Sequence, residues 1–335
     1  MVAWIIYFRD GALYNQKYIE FYIEEGRKLD INVKLILVED LEFGVEHNQC
    51  FLRHQGLNIS RPDFVICRAI YSLLSRHMEL MGIRVFNNSF VSQISNDKAR
   101  TCQYLAQTGI PMVASRFYKN SQIEEVISQI DQPTVIKAVE GHGGSQVFLL
   151  GYGEEDGQVL RSSKNARTED RTEDRTEDRI EDRTEDRTEV GLDVKSDSQL
   201  IDRTQDNRII EGLGSSDVVV QPLIGNTHQD LRVYVIGHEI IAGVLRTAKE
   251  GFKSNFSLGG EVSLYQLSEK ERSLVNLIIT RFEFGLVGID FIIGDEGELI
   301  FNEIEDVVGS RMLYQCSDIN IVERYLKYIV SQIGS

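Results

Sequence analysis

Cysteine is scarce in this chain. Cys50, Cys67, Cys102 and Cys316 are the only four among 335 residues, far apart and without a CxxC pair. That spacing argues against a disulfide scaffold and against a structural zinc site. Positive charge is also short: 36 Lys and Arg face 52 Asp and Glu, a formal net charge of −16. Nucleic-acid binding requires a dense cationic surface, and anionic lipid is repelled by an acidic one, so neither partner is expected. The apolar run at the N-terminus, Val2 to Phe8, stops at Arg9-Asp10. It has no basic leader and is too short for a signal peptide or a membrane span, so a cytoplasmic location and a first buried strand are expected. No GxxxxGK[ST] run occurs, which excludes a P-loop, and no GxGxxG follows the first strand. The six histidines form no metal-ligand pattern, and no Ser/His/Asp or Cys/His constellation can be argued from the spacings.

What is present begins with alternation. Val2–Phe8, Val33–Val38, Asp63–Cys67 and Ile83–Phe86 read as strands, with helical spacing over Asn15–Leu29 and Tyr71–Met81. Strand–helix alternation implies a parallel sheet covered by helices. Beyond it the pattern becomes mixed. Ser95 is a candidate cap for a helix running to Gly109, with Pro111 past its end. Thr134–Ala138, Gln146–Leu150 and Val218–Gln221 read as strands. Gly237-His238 separates one hairpin pair, Leu231–Ile236 and Glu239–Leu245, and Gly294–Gly297 separates another, Val287–Ile293 and Glu298–Phe301. Glu269–Glu283 and Ile319–Ile333 read as helices.

Residues 167–190 repeat the unit Arg-Thr-Glu-Asp, with Ile180 and Val190 as imperfections. A helix would stack Arg171, Arg175, Arg179, Arg183 and Arg187 as one like-charge stripe, which opposes helix formation by roughly 0.2–0.5 kcal/mol per pair. Without an apolar face to dock, the segment reads as a solvated insertion, disordered or a frayed helix, or else as an interaction arm for which no partner can be named.

The chemistry-bearing residues gather near the C-terminus. Asp290 interrupts one apolar strand, and Glu303 and Glu305 stand in the next, two residues apart and so on one face. Three carboxylates on a hairpin suit a hard cation such as Mg²⁺ or Mn²⁺; a solvated acidic strand face is the other reading. Lys137 lies inside the apolar strand Thr134–Ala138 and calls for an anionic partner. Gly143 and Gly144 follow it in a turn whose N–H groups could cover phosphates. Lys98 starts a helix after Asn96-Asp97, as a phosphate contact or as a surface lysine. Arg232 and Arg246 fall near opposite ends of a strand pair; with Asn255 they could hold a phosphoryl group, or be surface strand arginines.

Taken in order, Asn96-Asp97-Lys98, Pro133–Ser145, Val218–Ile224, Asp230–Val235, Ala248–Gly251, Ser254-Asn255, Gly259-Gly260 and the acidic hairpin resemble the ATP-grasp superfamily, most closely its RimK-like carboxylate–amine (amino-acid) ligase branch. The likeness runs from about Ser92 to the C-terminus, apart from the repeat. It implies an α/β and α+β architecture, the ATP-grasp fold: an N-terminal Rossmann-like α/β domain over 1–91 and an ATP-grasp domain over 92–335. The latter would comprise a small lobe over about 112–224, carrying the insertion of about 154–207, and a metal-binding lobe over about 225–335, with ATP sandwiched between the lobes.

The resemblance also implies roles. Lys98 and Lys137 would contact ATP phosphates, and the backbone of Gln221 to Ile224, Leu223 included, would receive adenine. Asp290, Glu303 and Glu305 would hold Mg²⁺ or Mn²⁺. Arg232, Arg246 and Asn255 would orient phosphate and the activated carboxylate. The activity implied is an ADP-forming ligase joining a carboxylate to an amine, an amino acid or peptide among the candidates, through an acyl phosphate. A nucleotide-binding regulator without turnover and a peptide- or protein-modifying enzyme are the alternatives, and a homo-oligomer is open. The chain departs from the family pattern at Glu305, where Asn is common, at Leu258, where a basic residue is usual, and over Asp306–Arg311, which replaces a small Ser/Pro turn. Arg311 is a candidate for recognising a substrate carboxylate.

Overall fold

The computed structural model describes residues 1–144, 146–150, 206–225, 229–247 and 261–334, together with the backbone of two short strands, Glu154–Glu155 and Gln158–Val159. The Arg-Thr-Glu-Asp repeat, Leu258 and Asn255 lie outside the described residues. The chain divides into two compact units, Met1–Ser115 with Ile224–Ser335, and Arg116–Leu223.

The first unit opens with four parallel strands in the order Asn32–Leu37, Val2–Tyr7, Phe64–Cys67, Arg84–Phe86. These are the expected strands to within a residue or two. The apolar runs of the two central strands, Val2–Tyr7 and Phe64–Cys67, are buried on both faces, while the edge strand Asn32–Leu37 leaves Lys34 and Leu35 exposed. Helices Gln16–Lys28 and Ser72–Leu80 cover it, the first through Ile19 and Tyr22, the second through Leu74 and Met78. An antiparallel sheet of Leu41–Glu46, Gln49–His54 and Leu57–Asn58 inserts between the second and third of these strands in sequence, in addition to the expected elements. Its turn places His47 and Asn48 at φ of 50° and 62°, the left-handed pair that a two-residue hairpin loop demands. No glycine marks that turn, so the usual signal was absent.

The same unit carries a five-stranded antiparallel sheet ordered Glu261–Tyr265, Glu239–Thr247, Gln229–Ile236, Leu286–Ile293, Leu299–Glu305. One face packs Leu231, Val233, Ile289 and Phe301 against helix Glu269–Ile279 through Val275 and Ile278. That helix is capped by Ser268 and Glu271, each accepting from the other's backbone N–H, and it ends four residues short of the expected Glu283. On the other face Tyr234 and Ile236 join helix Ile321–Ile333 and the N-terminal strands in one core.

The expectation that Ser95 caps the next helix is corrected: Ser95 closes helix Ser89–Ser95. Asp97 is the cap instead, its carboxylate accepting from Arg100 N at 2.8 Å over helix Lys98–Leu105. An Asp at this position meets the exposed N–H groups better than a Ser two residues too early.

The second unit is a four-stranded antiparallel sheet ordered Val147–Leu150, Thr134–Ala138, Val218–Pro222, Arg116–Tyr118. Ile136, Val218 and Phe148 pack with Ile123 and Ile127 of helix Ile123–Ser128 and with Ile209 and Leu213 of the helical residues 206–213. Among the described residues no helix is long and apolar enough to cross a membrane.

Candidate active site

The charged cluster occupies one face of the five-stranded sheet, at the end away from the Gly237 turn. Register partners Arg232 and Asp290 lie on neighbouring strands, as do Asp290 and Glu303, Gly288 and Glu305, and Asp230 and Arg246. Side chains of paired residues share a face, so the sheet itself assembles the group. A bulge helps. The register slips between Asp290 and Phe291, so Asn302 has no counterpart in the ladder. Without it Phe301, Glu303 and Glu305 would share a face. With it Phe301 and Ile304 both reach the core, and the glutamates turn to the other side.

Asp290 is 1% exposed. Arg232 grips it with two bonds, Nε to Oδ1 at 2.7 Å and Nη2 to Oδ2 at 2.6 Å, and Arg246 Nη2 adds a third at 2.7 Å. Arg232 also meets Glu305 at 2.7 Å, and Arg246 holds Asp230 by both nitrogens, Nη2 to Oδ2 at 2.7 Å. Lys98 Nζ stands 3.3 Å from Glu303. One carboxylate oxygen from each of Asp290, Glu303 and Glu305 lies within 4.8 Å of the other two. The expectation that Arg232 and Arg246 sit near opposite ends of their strand pair is corrected: the antiparallel return brings both to the open end, onto one aspartate.

The electrostatics follow from this packing. Burial pushes the Asp290 carboxyl up, but Arg232 and Arg246 together outweigh it and hold the group at about 2. Burial lifts Asp230 to about 6 against the pull of Arg246, with Asp290 pushing the same way as burial. Glu305 is raised by burial and by the neighbouring charges of Asp290 and Glu303, with Arg232 opposing. Four carboxylates and three cations meet here, a formal charge of −1 when all are ionised.

The Asn96-Asp97-Lys98 run divides its labour. Asn96 Nδ2 donates to Asp306 Oδ2 at 2.8 Å, Asp97 caps the helix, and Lys98 faces Glu303. Asp306 is buried and bonded also by Asn87 Nδ2 at 2.8 Å; burial raises its carboxyl, and these donors resist the rise. Asp230, Asn87 and Asp306 join the cluster beyond the residues expected from the sequence; of the three, Asp306 has a visible signal, the acidic run that it ends. Arg311 lies apart from this cluster's contacts: its Nη2 donates to Tyr14 Oη at 3.0 Å and its guanidinium lies 5.2 Å from that ring's centroid.

In the second unit Lys137 is half-buried on its strand, paired across the ladder with Val147 and Val219. Gly143 and Gly144 adopt φ of 64° and 74°, which glycine alone enters without strain. Gln221 is buried, and Leu223 N donates to Pro133 O at 2.9 Å where the strand ends. Ile224, the first residue back in the other unit, is half-buried.

A family model for the RimK-like ATP-grasp domain matches residues 95–170 and 197–329. Among curated relatives, a probable alpha-L-glutamate ligase of Legionella pneumophila (strain Paris) is 26% identical over 258 residues, covering 76% of this chain and 69% of that protein. Among solved structures, a RimK domain protein ATP-grasp from Sphaerobacter thermophilus superposes with a TM-score of 0.63 at 16% identity, covering 98% of this chain and 99% of its own. The ATP-grasp ligase PsnB, complexed with a phosphomimetic variant of its minimal precursor, Mg and ADP, gives 0.59 at 14% identity, with 98% of each chain covered. The fold is that of the ATP-grasp proteins, and the chain belongs to the RimK-like ATP-grasp family. It is an ATP-dependent ligase of the kind that forms amide bonds.

Proposed function

We propose that this chain is an acid–amino-acid ligase, which activates a carboxylate as an acyl phosphate with ATP and transfers the acyl group to an amine, releasing ADP and phosphate. The supporting observation is the convergence of Asp290, Glu303 and Glu305 beside Lys98, Arg232 and Arg246. The donor set is all oxygen, and its ligand atoms lie within 4.8 Å of one another, which fits Mg²⁺ or Mn²⁺ held by these three residues. When bound, such an ion offsets the negative charge on the transferring phosphoryl group.

The chain's own residues do the rest. Arg232 keeps Asp290 ionised and fixed in orientation by a two-pronged bond, which preorganises the cluster. Lys98 and Lys137 are assigned to the phosphates, Gly143 and Gly144 to backbone contacts with them, and Gln221, Leu223 and Ile224 to adenine. Arg246 and Asn255 are assigned with Arg232 to the phosphoryl group and the activated carboxylate. No side-chain nucleophile is called for, since the acyl phosphate carries its own leaving group. Arg311 is proposed to face a substrate carboxylate.

Glutamate is the first amine to try, because the Legionella relative is named as a glutamate ligase. The measurement is metal-dependent ADP release across amino acids and peptides, with hydroxylamine added to trap the acyl phosphate. Hydroxamate formation that depends on one carboxylate substrate is expected. ATP–Mg²⁺ binding without hydroxamate across the whole screen would instead assign the chain as a nucleotide-binding regulator. Unimpaired metal-dependent turnover in Glu303→Gln would remove the acidic hairpin from the reaction.

A further inference from the structure

The carboxyl ends of the parallel strands carry a polar cluster that the reaction as described does not use. Ile6 and Cys67 are register partners, and Arg68 N donates to Ile6 O at 2.8 Å. The segments leaving Val2–Tyr7 and Phe64–Cys67 thus part side by side, the place where open parallel sheets receive ligands. Arg68 sits there, half-buried. Its Nε donates to Tyr7 Oη at 3.3 Å, its Nη2 to Val308 O at 2.9 Å and Val307 O at 3.4 Å, and its guanidinium lies 5.5 Å from the Tyr18 ring centroid. Among the described residues no carboxylate pairs with Arg68, and its Nη1 donates to none of them.

A second observation points the same way. The Tyr22 hydroxyl is wholly buried and has no hydrogen-bond partner among the described residues, and Tyr18, Arg68, Tyr325 and Tyr7 are its electrostatic neighbours. A guanidinium and a hydroxyl both short of acceptors mark a place suited to an anion. Phe8 and Ile70, 40% and 39% exposed, flank the position as apolar walls. Val307, whose carbonyl Arg68 holds, is two residues beyond Glu305, so at most about 7 Å of chain separates this position from the acidic hairpin. That is within the span of a small substrate.

We propose that Arg68 binds a carboxylate of the substrate other than the one that is activated: the α-carboxylate of an amino acid or the terminal carboxylate of a peptide. The inference rests on the ligase reading only for what the anion belongs to. Its charge-assisted bond prefers a free acid over the corresponding amide, by about tenfold to a hundredfold. A mere clamp on Val307 and Val308 would show no such preference.

The test is calorimetric and needs no turnover. Full-length protein with Mg²⁺ and a non-hydrolysable ATP analogue is titrated with free amino acids and their α-amides, and with tripeptides whose C termini are free or amidated; the two arms tell the two sources apart. Expected is a preference of at least tenfold for free acids in the wild type. Arg68→Gln should abolish it while the nucleotide still raises the melting temperature, and Arg68→Lys, which keeps the charge, should recover part of it. Equal binding of acids and amides by the wild type, no binding of any probe, or a preference that survives in Arg68→Gln would each overturn the proposal. Tight, selective binding without any ADP release would sink the ligase reading and leave Arg68 in place.

Discussion

Replacing Asp290 with Asn tests the charged cluster most directly. The side chain is 1% exposed and accepts three bonds from two arginines that are themselves 5% and 4% exposed. Removing one partner of a buried ion pair costs about 3–5 kcal/mol, because the remaining charge stays out of water. Here each arginine keeps a second carboxylate, Glu305 for Arg232 and Asp230 for Arg246, so the low end is expected, about 3 kcal/mol. In a unit of this size that corresponds to a fall of roughly 6–12 °C in melting temperature. The amide also turns N–H groups toward guanidinium donors, which prevents full recovery.

The sign against pH follows from the depressed carboxyl. Asp290 is held at about 2, below an unfolded value of about 3.9, so its contribution is complete above the latter and is lost as pH falls through the former. The gap between wild type and variant should therefore be flat from about pH 5 upward and close in strong acid. Melting curves without nucleotide measure the stability loss, and ADP release measures the reaction, which should fall at least about a hundredfold. A variant that melts within 2 °C of the wild type, with metal-dependent ADP release within about threefold, would refute the reasoning.

Two further outcomes can be checked with single variants or reagents. A Cβ at Gly288 would lie 2.7 Å from Val308 Cγ2 and 3.2 Å from Arg232 Cδ. Gly288→Ala should accordingly cost about 1–3 kcal/mol and displace Arg232, lowering both melting temperature and turnover; wild-type values in both would show that the close approach is dispensable. Burial pushes the Cys67 thiol up to about 11, so it stays protonated at neutral pH. Iodoacetamide at about pH 8 should leave Cys67 unmodified in the native protein while half-buried Cys50 and Cys102 react, and early alkylation of Cys67 in mass spectra would contradict its burial.

Much of the fold was legible because it rests on local pattern. The central parallel strands Val2–Tyr7 and Phe64–Cys67 were readable since a strand buried on both faces must be a short apolar run, and both glycine-marked hairpins were readable since tight turns need φ above zero. The sheet of Leu41–Glu46 and its partners was not, because His47 and Asn48 take that conformation without a glycine to announce it. The Asp97 cap was missed for a similar reason: Ser95 is an equally good capping residue, and only the observed chain direction tells the two apart.

What the sequence determined by itself is which residues carry charge inside apolar strands, Asp290, Glu303, Glu305, Arg232 and Lys137, since burying such groups without partners is too costly to be incidental. What only tertiary structure decided is which of them meet. Strand order sets Leu286–Ile293 between the strands of Arg232 and Glu305, so that Arg232 bonds to Asp290 on the adjoining strand and to Glu305 on the strand beyond it, and an antiparallel return carries Arg246 back to the same aspartate. The bulge at Asn302 turns two glutamates away from the face that pleat alternation alone would have assigned them, that of Phe301. Partnership between groups tens of residues apart depends on register and on a one-residue slip, and neither leaves a local trace in composition or spacing.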